Sequence, residues 1–372
     1  MMLIAFILLL CIALRFPKSR VVAGIAVCFI LILYGFSDIE GDLYVYRWIY
    51  YDYSFKAFGM VFEPGFLFLI VACKTLSLSF TGFRLACALI YVSLLYRGIA
   101  KLTEFRAIAI TSTIIFPLFV FISVMRSGIA CVILLNAFAA LVNERNRMHG
   151  IVKYCIGVVV ATFFHYSSIL LLAGILAKRK LNMKKVLPCL MLVLVFAVLL
   201  TQTDVIVHLV SMVTTREKTL QWLSRGEGTA NLKGSFAIIL ILLVNYFVSK
   251  MTLDRYKARR LCGNTSSMLS KPEIVHNMAI ILFFYTPLML FASPFLRLAY
   301  MMFPAFSASA VGVMYSYQKE DQPLIRRRAS VVLPGLLIFA VLLLWKLHYD
   351  LPYIKNGAMP LGELIQASFI IY

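Results

Sequence analysis

Apolar runs separated by short, mostly basic loops recur along almost the whole chain, and this alternation limits its fold more than any other feature. The runs lie near 2–14, 21–36, 82–98, 106–124, 127–142, 152–165, 167–177, 186–201, 234–249, 273–292, 297–316 and 330–348. A helix crossing about 30 Å of hydrocarbon needs about 20 residues, fewer where its flanks reach the interface. Of the 372 residues 62% are apolar and only 14% are charged, with a mean hydropathy of +0.92, and that balance excludes a soluble globular domain. The first run lacks a basic stretch before it and a small-residue cleavage site after it, so it reads as a retained helix. The expected fold is an all-α polytopic membrane protein of about twelve transmembrane helices, a single integral membrane domain over 1–372.

Basic residues fix the orientation. Six loops carry 24 of the 36 Lys and Arg: Arg15 to Arg20, Arg97 to Arg106, Arg145 to Lys153, Lys178 to Lys185, Lys250 to Lys271, and Lys319 to Arg328. Loops rich in Lys and Arg stay on the cytoplasmic side, so these six face inward and both termini lie outside. The formal charge of +20 is thereby explained by topology, and nucleic acid is not an expected partner. The eight cysteines show no CxxC or other paired spacing, so neither a disulfide framework nor a metal site is expected.

The segment 64–79 (PGFLFLIVACKTLSLS) breaks the alternation. Counted as a span, it moves Arg97, Lys101 and Arg106 to the wrong side. It also puts Lys74 at the bilayer centre, at a cost of about 2.5–3.5 kcal/mol on insertion scales. A re-entrant or interfacial hairpin near 64–79 removes both faults. Irregular backbone at membrane depth is tolerated where it is buried in protein or lines a wet cavity, so the hairpin is itself a site candidate.

The outer side then collects a distinctive set of residues. The loop 37–63 holds Asp38, Glu40, Asp42, Asp52 and Glu63 among several tyrosines and Trp48. Arg126, His165 and Arg297 fall at separate outer turns, and a periplasmic amphipathic segment is expected near 203–224. Taken singly, each has a plain structural role: an aromatic interfacial belt, a hydrogen-bonded core histidine, arginines that snorkel, a surface-lying helix. Taken together, Arg126 and Arg297 offer guanidinium forks suited to pyrophosphate, and His165 offers a base near neutral pH for a hydroxyl. Asp42 and Glu63 are alternative bases or sugar-orienting groups. Tyr46, Tyr166 and Tyr300 supply flat surfaces for sugar rings.

At these residues the chain resembles the EpsG-type branch of the Wzy O-antigen and polysaccharide polymerases. The matching pieces are Gly41-Asp42-Leu43-Tyr44 with Tyr46, Glu63-Pro64-Gly65-Phe66, Met125-Arg126-Ser127-Gly128-Ile129-Ala130, Phe164-His165-Tyr166-Ser167, and Arg297 with Tyr300. Ser127 stands where the family more often has Gln. The resemblance implies polymerisation on the periplasmic face of the bacterial inner membrane. There the growing glycan passes from undecaprenyl pyrophosphate to the non-reducing end of a new lipid-linked repeat unit, as in lipopolysaccharide biosynthesis, with no cofactor and no metal. The partners it implies are the undecaprenyl-pyrophosphate-linked oligosaccharide and the lipid bilayer, with a chain-length regulator protein as a candidate partner.

Two other readings remain open on the sequence. Asp38-x-Glu40-x-Asp42 presents hard oxygen ligands and fits a metal-dependent polyprenyl-phosphate-sugar glycosyltransferase. A lipid-linked oligosaccharide flippase would need charged residues deep in a central cavity and repeated halves; mid-span charges are few and no inverted repeat is visible.

Overall fold

The computed structural model describes residues 2–36, 42–51, 63–115, 118–181, 186, 188, 192, 232–260, 270–286, 297, 298 and 300–316. All regular elements among them are helical. The chain divides into two compact units, Met1–Leu172 with Met301–Tyr372, and Ala173–Tyr300.

In the first unit the apolar runs become α1 (Met2–Arg15), α2 (Arg20–Phe36), α5 (Phe80–Leu102), α8 (Met125–Asn143) and α9 (Arg147–Thr162). Helices α5 and α8 are long and apolar enough to cross a membrane. Within the run 106–124 the described helices are α6 (Arg106–Ile115) and α7 (Leu118–Ser123). The run 167–177 is a 3-10 helix, Tyr166–Lys178, not an α-helix. At about 2.0 Å per residue a 3-10 helix covers more depth than an α-helix of equal length, although runs this long are uncommon.

Helix α8 is the centre of the unit, with α5 and α9 packed against it. Its apolar face is buried nearly throughout, from Met125 to Val142. At Gly157 a Cβ would lie 2.4 Å from the Ala137 Cβ, so glycine permits the close approach of α9 to α8 that small residues give helices in lipid. The Asn136 amide on α8 donates to the Leu94 carbonyl on α5 at 2.8 Å, adding a polar tie where no water competes.

Three of the basic loops meet at one end of this bundle. Lys18 pairs with Glu104 at 2.8 Å, the Ala107 amide donates to the Pro17 carbonyl at 3.1 Å, and Asn143 donates to the Lys101 carbonyl at 2.9 Å. Lys153 pairs with Glu144 beside them.

The segment 64–79 forms one short helix, α4 (Pro64–Thr75), and a turn, not a two-limbed hairpin. Its 12 residues rise about 18 Å, short of the hydrocarbon thickness. It lies along α3 (Asp42–Tyr51): Phe66 packs on Tyr46 near its start, and the Tyr50 hydroxyl donates to the Leu78 carbonyl just after its end. The turn is a Schellman cap, with Leu78 N–H bonded to the Cys73 carbonyl and Ser77 N–H to the Lys74 carbonyl. Ser77 takes the left-handed conformation there, with φ 54°, where glycine is usual. Ser79 then caps α5 by accepting from the Gly82 amide.

In the second unit α10 (Leu232–Arg260) continues well past the apolar run 234–249 into basic sequence and packs against α11 (Lys271–Phe283). A capping box of Ser270 and Glu273 starts α11. The last described helix, α12 (Phe303–Ser316), belongs to the first unit, where Ser307 hydrogen-bonds Ser112 of α6. The amphipathic segment near 203–224 and the run 330–348 lie outside the described residues, and of the run 186–201 only 186, 188 and 192 are described.

Candidate active site

Four of the residues singled out from the sequence meet at one carboxylate. Glu63 is the N-cap residue of α4 and has extended backbone, as a residue before proline prefers. Its side chain, only 4% exposed, makes no bond to its own helix. One oxygen, Oε2, accepts from Arg126 at 2.5 Å. The other, Oε1, accepts from the Tyr166 backbone N–H at 3.3 Å and lies 3.3 Å from His165 Nδ1. Glu63 therefore joins α4, the first turn of α8 and the turn that follows α9.

Arg126 reaches this place because α7 ends at Ser123 and α8 begins at Met125, with Val124 in a non-helical conformation between them. A cation in the first turn of a helix opposes the helix dipole. Glu63 offsets that penalty, and Tyr46 of α3 adds to it: the tyrosine hydroxyl accepts from Arg126 Nε at 3.2 Å, and the guanidinium carbon lies 5.7 Å from the tyrosine ring centroid. The Arg126 side chain is 15% exposed, and His165 is 6% exposed.

Burial alone would push the Glu63 carboxyl up. The His165 hydrogen bond and the Arg126 charge outweigh it and hold the group below its ordinary value. Glu63 is thus an ionised, fully engaged carboxylate at neutral pH. Arg126, expected from the sequence as a fork for pyrophosphate, has in space a carboxylate partner 63 residues away.

The remaining sequence candidates are placed as follows. Tyr166 joins the cluster through its backbone, while its ring is exposed. Asp42 is the first residue of α3. Asp38 and Glu40 lie outside the described residues, so the acidic run of the metal-dependent reading is not laid out here. Arg297 and Tyr300 belong to the second unit, where Arg297 is half-buried and Tyr300 is buried.

One feature of the cluster was absent from the sequence candidates. The Gly65 amide donates to the Phe163 carbonyl at 2.8 Å, tying the start of α4 to the turn that carries His165. A Pro-Gly pair opening a helix was its only sequence signal.

A family model described as the EpsG family matches residues 2–358. Comparison with curated proteins and with solved structures gave no match. The chain belongs to the EpsG family, and with it to membrane proteins of the polysaccharide-polymerase, glycosyltransferase-like kind.

Proposed function

We propose that the chain is a polysaccharide repeat-unit polymerase of the inner membrane, working at the periplasmic face on undecaprenyl-pyrophosphate-linked glycans. The observation that carries this reading is the cluster of His165, Glu63 and Arg126, which sets an imidazole, a carboxylate and a guanidinium side by side at a buried position.

In the proposed reaction a hydroxyl at the non-reducing end of the incoming repeat unit attacks the anomeric carbon of the growing chain. The bond from that carbon to the pyrophosphate oxygen breaks, and the electron pair leaves with the pyrophosphate. His165 takes the hydroxyl proton. In the proposed tautomer Nδ1 carries the proton on the side of Glu63 Oε1, 3.3 Å away, and Nε2 is the basic nitrogen. This division of labour assigns Glu63 to orientation, because a carboxylate held low by an arginine is a weak base. Arg126 stabilises the charge that develops on the leaving pyrophosphate, being cationic at every working pH. For Arg297 the same role rests on guanidinium chemistry alone, and Tyr46, Tyr166 and Tyr300 are assigned to the sugar path on aromatic chemistry.

Reconstitution with purified undecaprenyl-pyrophosphate-linked repeat units, resolved as a ladder on a gel, tests the proposal. Wild-type protein is expected to give a ladder that survives EDTA, and His165→Ala to slow its growth by about 10²–10⁴-fold. A full ladder from His165→Ala overturns the assignment of the base. A ladder that needs Mn²⁺ would move the chemistry to Asp38, Glu40 and Asp42.

A further inference from the structure

We propose that Gly65 is a positioning residue for this site, and that its backbone tie to Phe163 sets the contact between Glu63 and His165. The inference rests on the reading of those two residues as an orienting carboxylate and a base. Gly65 itself touches neither reacting group.

The first amides of a helix have no partner within it and are commonly capped by the side chain of the residue just before, most often Ser, Thr, Asp or Asn. Glu63 occupies that position and does not cap. Pro64 has no amide to satisfy, and the next amide, that of Gly65, is taken by the Phe163 carbonyl at 2.8 Å. Phe163 is the C-cap residue of α9, where carbonyls also lack helical partners. The positive end of α4 thus docks on the negative end of α9, and each supplies what the other lacks. Because another element's backbone does the capping, the Glu63 carboxylate is available to Arg126 and His165.

The same tie sets a distance. Gly65 lies two residues after Glu63, and Phe163 two residues before His165, so the bond closes a short ring through both groups. There is no room in it for a side chain. A Cβ at position 65 would stand 2.8 Å from the Phe163 carbonyl oxygen and 3.1 Å from both its carbonyl carbon and its Cβ. Two of those three atoms are backbone, so Gly65→Ala must push the two strands of the ring apart. The 3.3 Å contact between His165 Nδ1 and Glu63 is the interaction most directly exposed to that displacement.

The experiment uses the full chain in nanodiscs, labelled with 15N-histidine, with the His165 signals identified by their loss in His165→Ala. Glu63→Gln weakens the acceptor at Oε1 and defines the shift that loss of the carboxylate produces. Gly65→Ala is expected to move the His165 ring signals in the same direction, to lower kcat with little change in KM, and to add little to the defect of Glu63→Gln in the double variant. Gly24→Ala, where a side chain would meet nothing within 4 Å, is expected to change none of these. His165 signals in Gly65→Ala identical to wild type overturn the proposal, as does a defect that adds in full to that of Glu63→Gln. Unmoved signals in Glu63→Gln instead overturn the carboxylate–imidazole reading, and the positioning role falls with it. Should Gly65→Ala not fold, exchange of the Gly65 amide in the wild type decides: slow exchange is expected, and the rate of an open amide refutes the tie.

Discussion

The two units each bury a histidine, and the partners differ in kind. His165 faces an ionised carboxylate that is itself held by an arginine. His276 of α11 faces a hydroxyl: its Nδ1 lies 3.1 Å from Ser249 Oγ of α10, and the Tyr246 ring packs 5.2 Å from its own. The Ser249 hydroxyl donates its one proton to the Tyr246 carbonyl at 2.9 Å, so it accepts from the His276 Nδ1–H. Both imidazoles are therefore oriented through Nδ1. Among the described residues, only His165 of the two has a buried carboxylate beside it to stabilise the protonated ring, and that is what a base needs at the moment it takes a proton. Residue type alone did not separate the two; the neighbours do.

The largest effect should come from dividing the charged pair that distinguishes the first histidine. Removing one partner of a buried ion pair leaves the other uncompensated, at a cost of about 3–5 kcal/mol. Arg126→Ala and Glu63→Ala should both lower the melting temperature sharply in nanodiscs and abolish polymer. Arg126→Lys keeps the charge but loses the guanidinium fork, and should fall between wild type and the alanine variants. If either alanine variant melts like wild type and makes chains of normal length, the carboxylate–arginine link has no part in stability or reaction. His165→Ala comes next. It removes no charge partner from Arg126, so melting should hold near wild type while turnover falls by about 10²–10⁴-fold.

The sequence showed the members of this cluster but not their arrangement. Arg126 and His165 stood out because polar groups at the ends of apolar runs are conspicuous, and Tyr46 as one of the tyrosines of the outer loop. Glu63 was legible as an alternative base or sugar-orienting acid, but not as the partner of Arg126. Its partners are 63 and 103 residues away, so the decisive contacts depend on three elements arriving together. The break at Val124 falls within two residues of the outer turn expected at Arg126, between the runs 106–124 and 127–142, but the placing of Arg126 in a first helical turn was not legible. Fold was more legible for a plain reason: hydrocarbon demands long apolar runs, and α1, α2, α5 and α8 follow them within a few residues. The same composition permits α-helical or 3-10 winding, so the geometry of Tyr166–Lys178 could not be read from it.

A smaller effect is expected from acid. The Glu63 carboxyl is held below its ordinary 4.5, so its stabilising contribution is complete above that value and is lost as pH falls through the depressed one. The difference in melting temperature between wild type and Glu63→Gln should therefore not shrink between about pH 8 and pH 5, and should fall only below about pH 4.5. A difference that shrinks between pH 8 and pH 6 would mean that a group other than Glu63 controls the pair.

The smallest effect belongs to the second histidine, and it decides whether the comparison holds. Ser249→Ala removes the acceptor for the His276 Nδ1–H and leaves a buried donor unsatisfied, which costs about 1–3 kcal/mol. His276→Phe in the same chain replaces the donor as well, with a ring of similar size against Tyr246, and should recover most of that loss, since removing both partners of a buried hydrogen bond is close to neutral. Throughout, turnover per folded molecule should change by less than about twofold, because a histidine oriented by a hydroxyl is held for packing. If His276→Phe melts like wild type yet makes no polymer, the hydroxyl-bound histidine is the chemical one, and the charge beside His165 serves the fold instead.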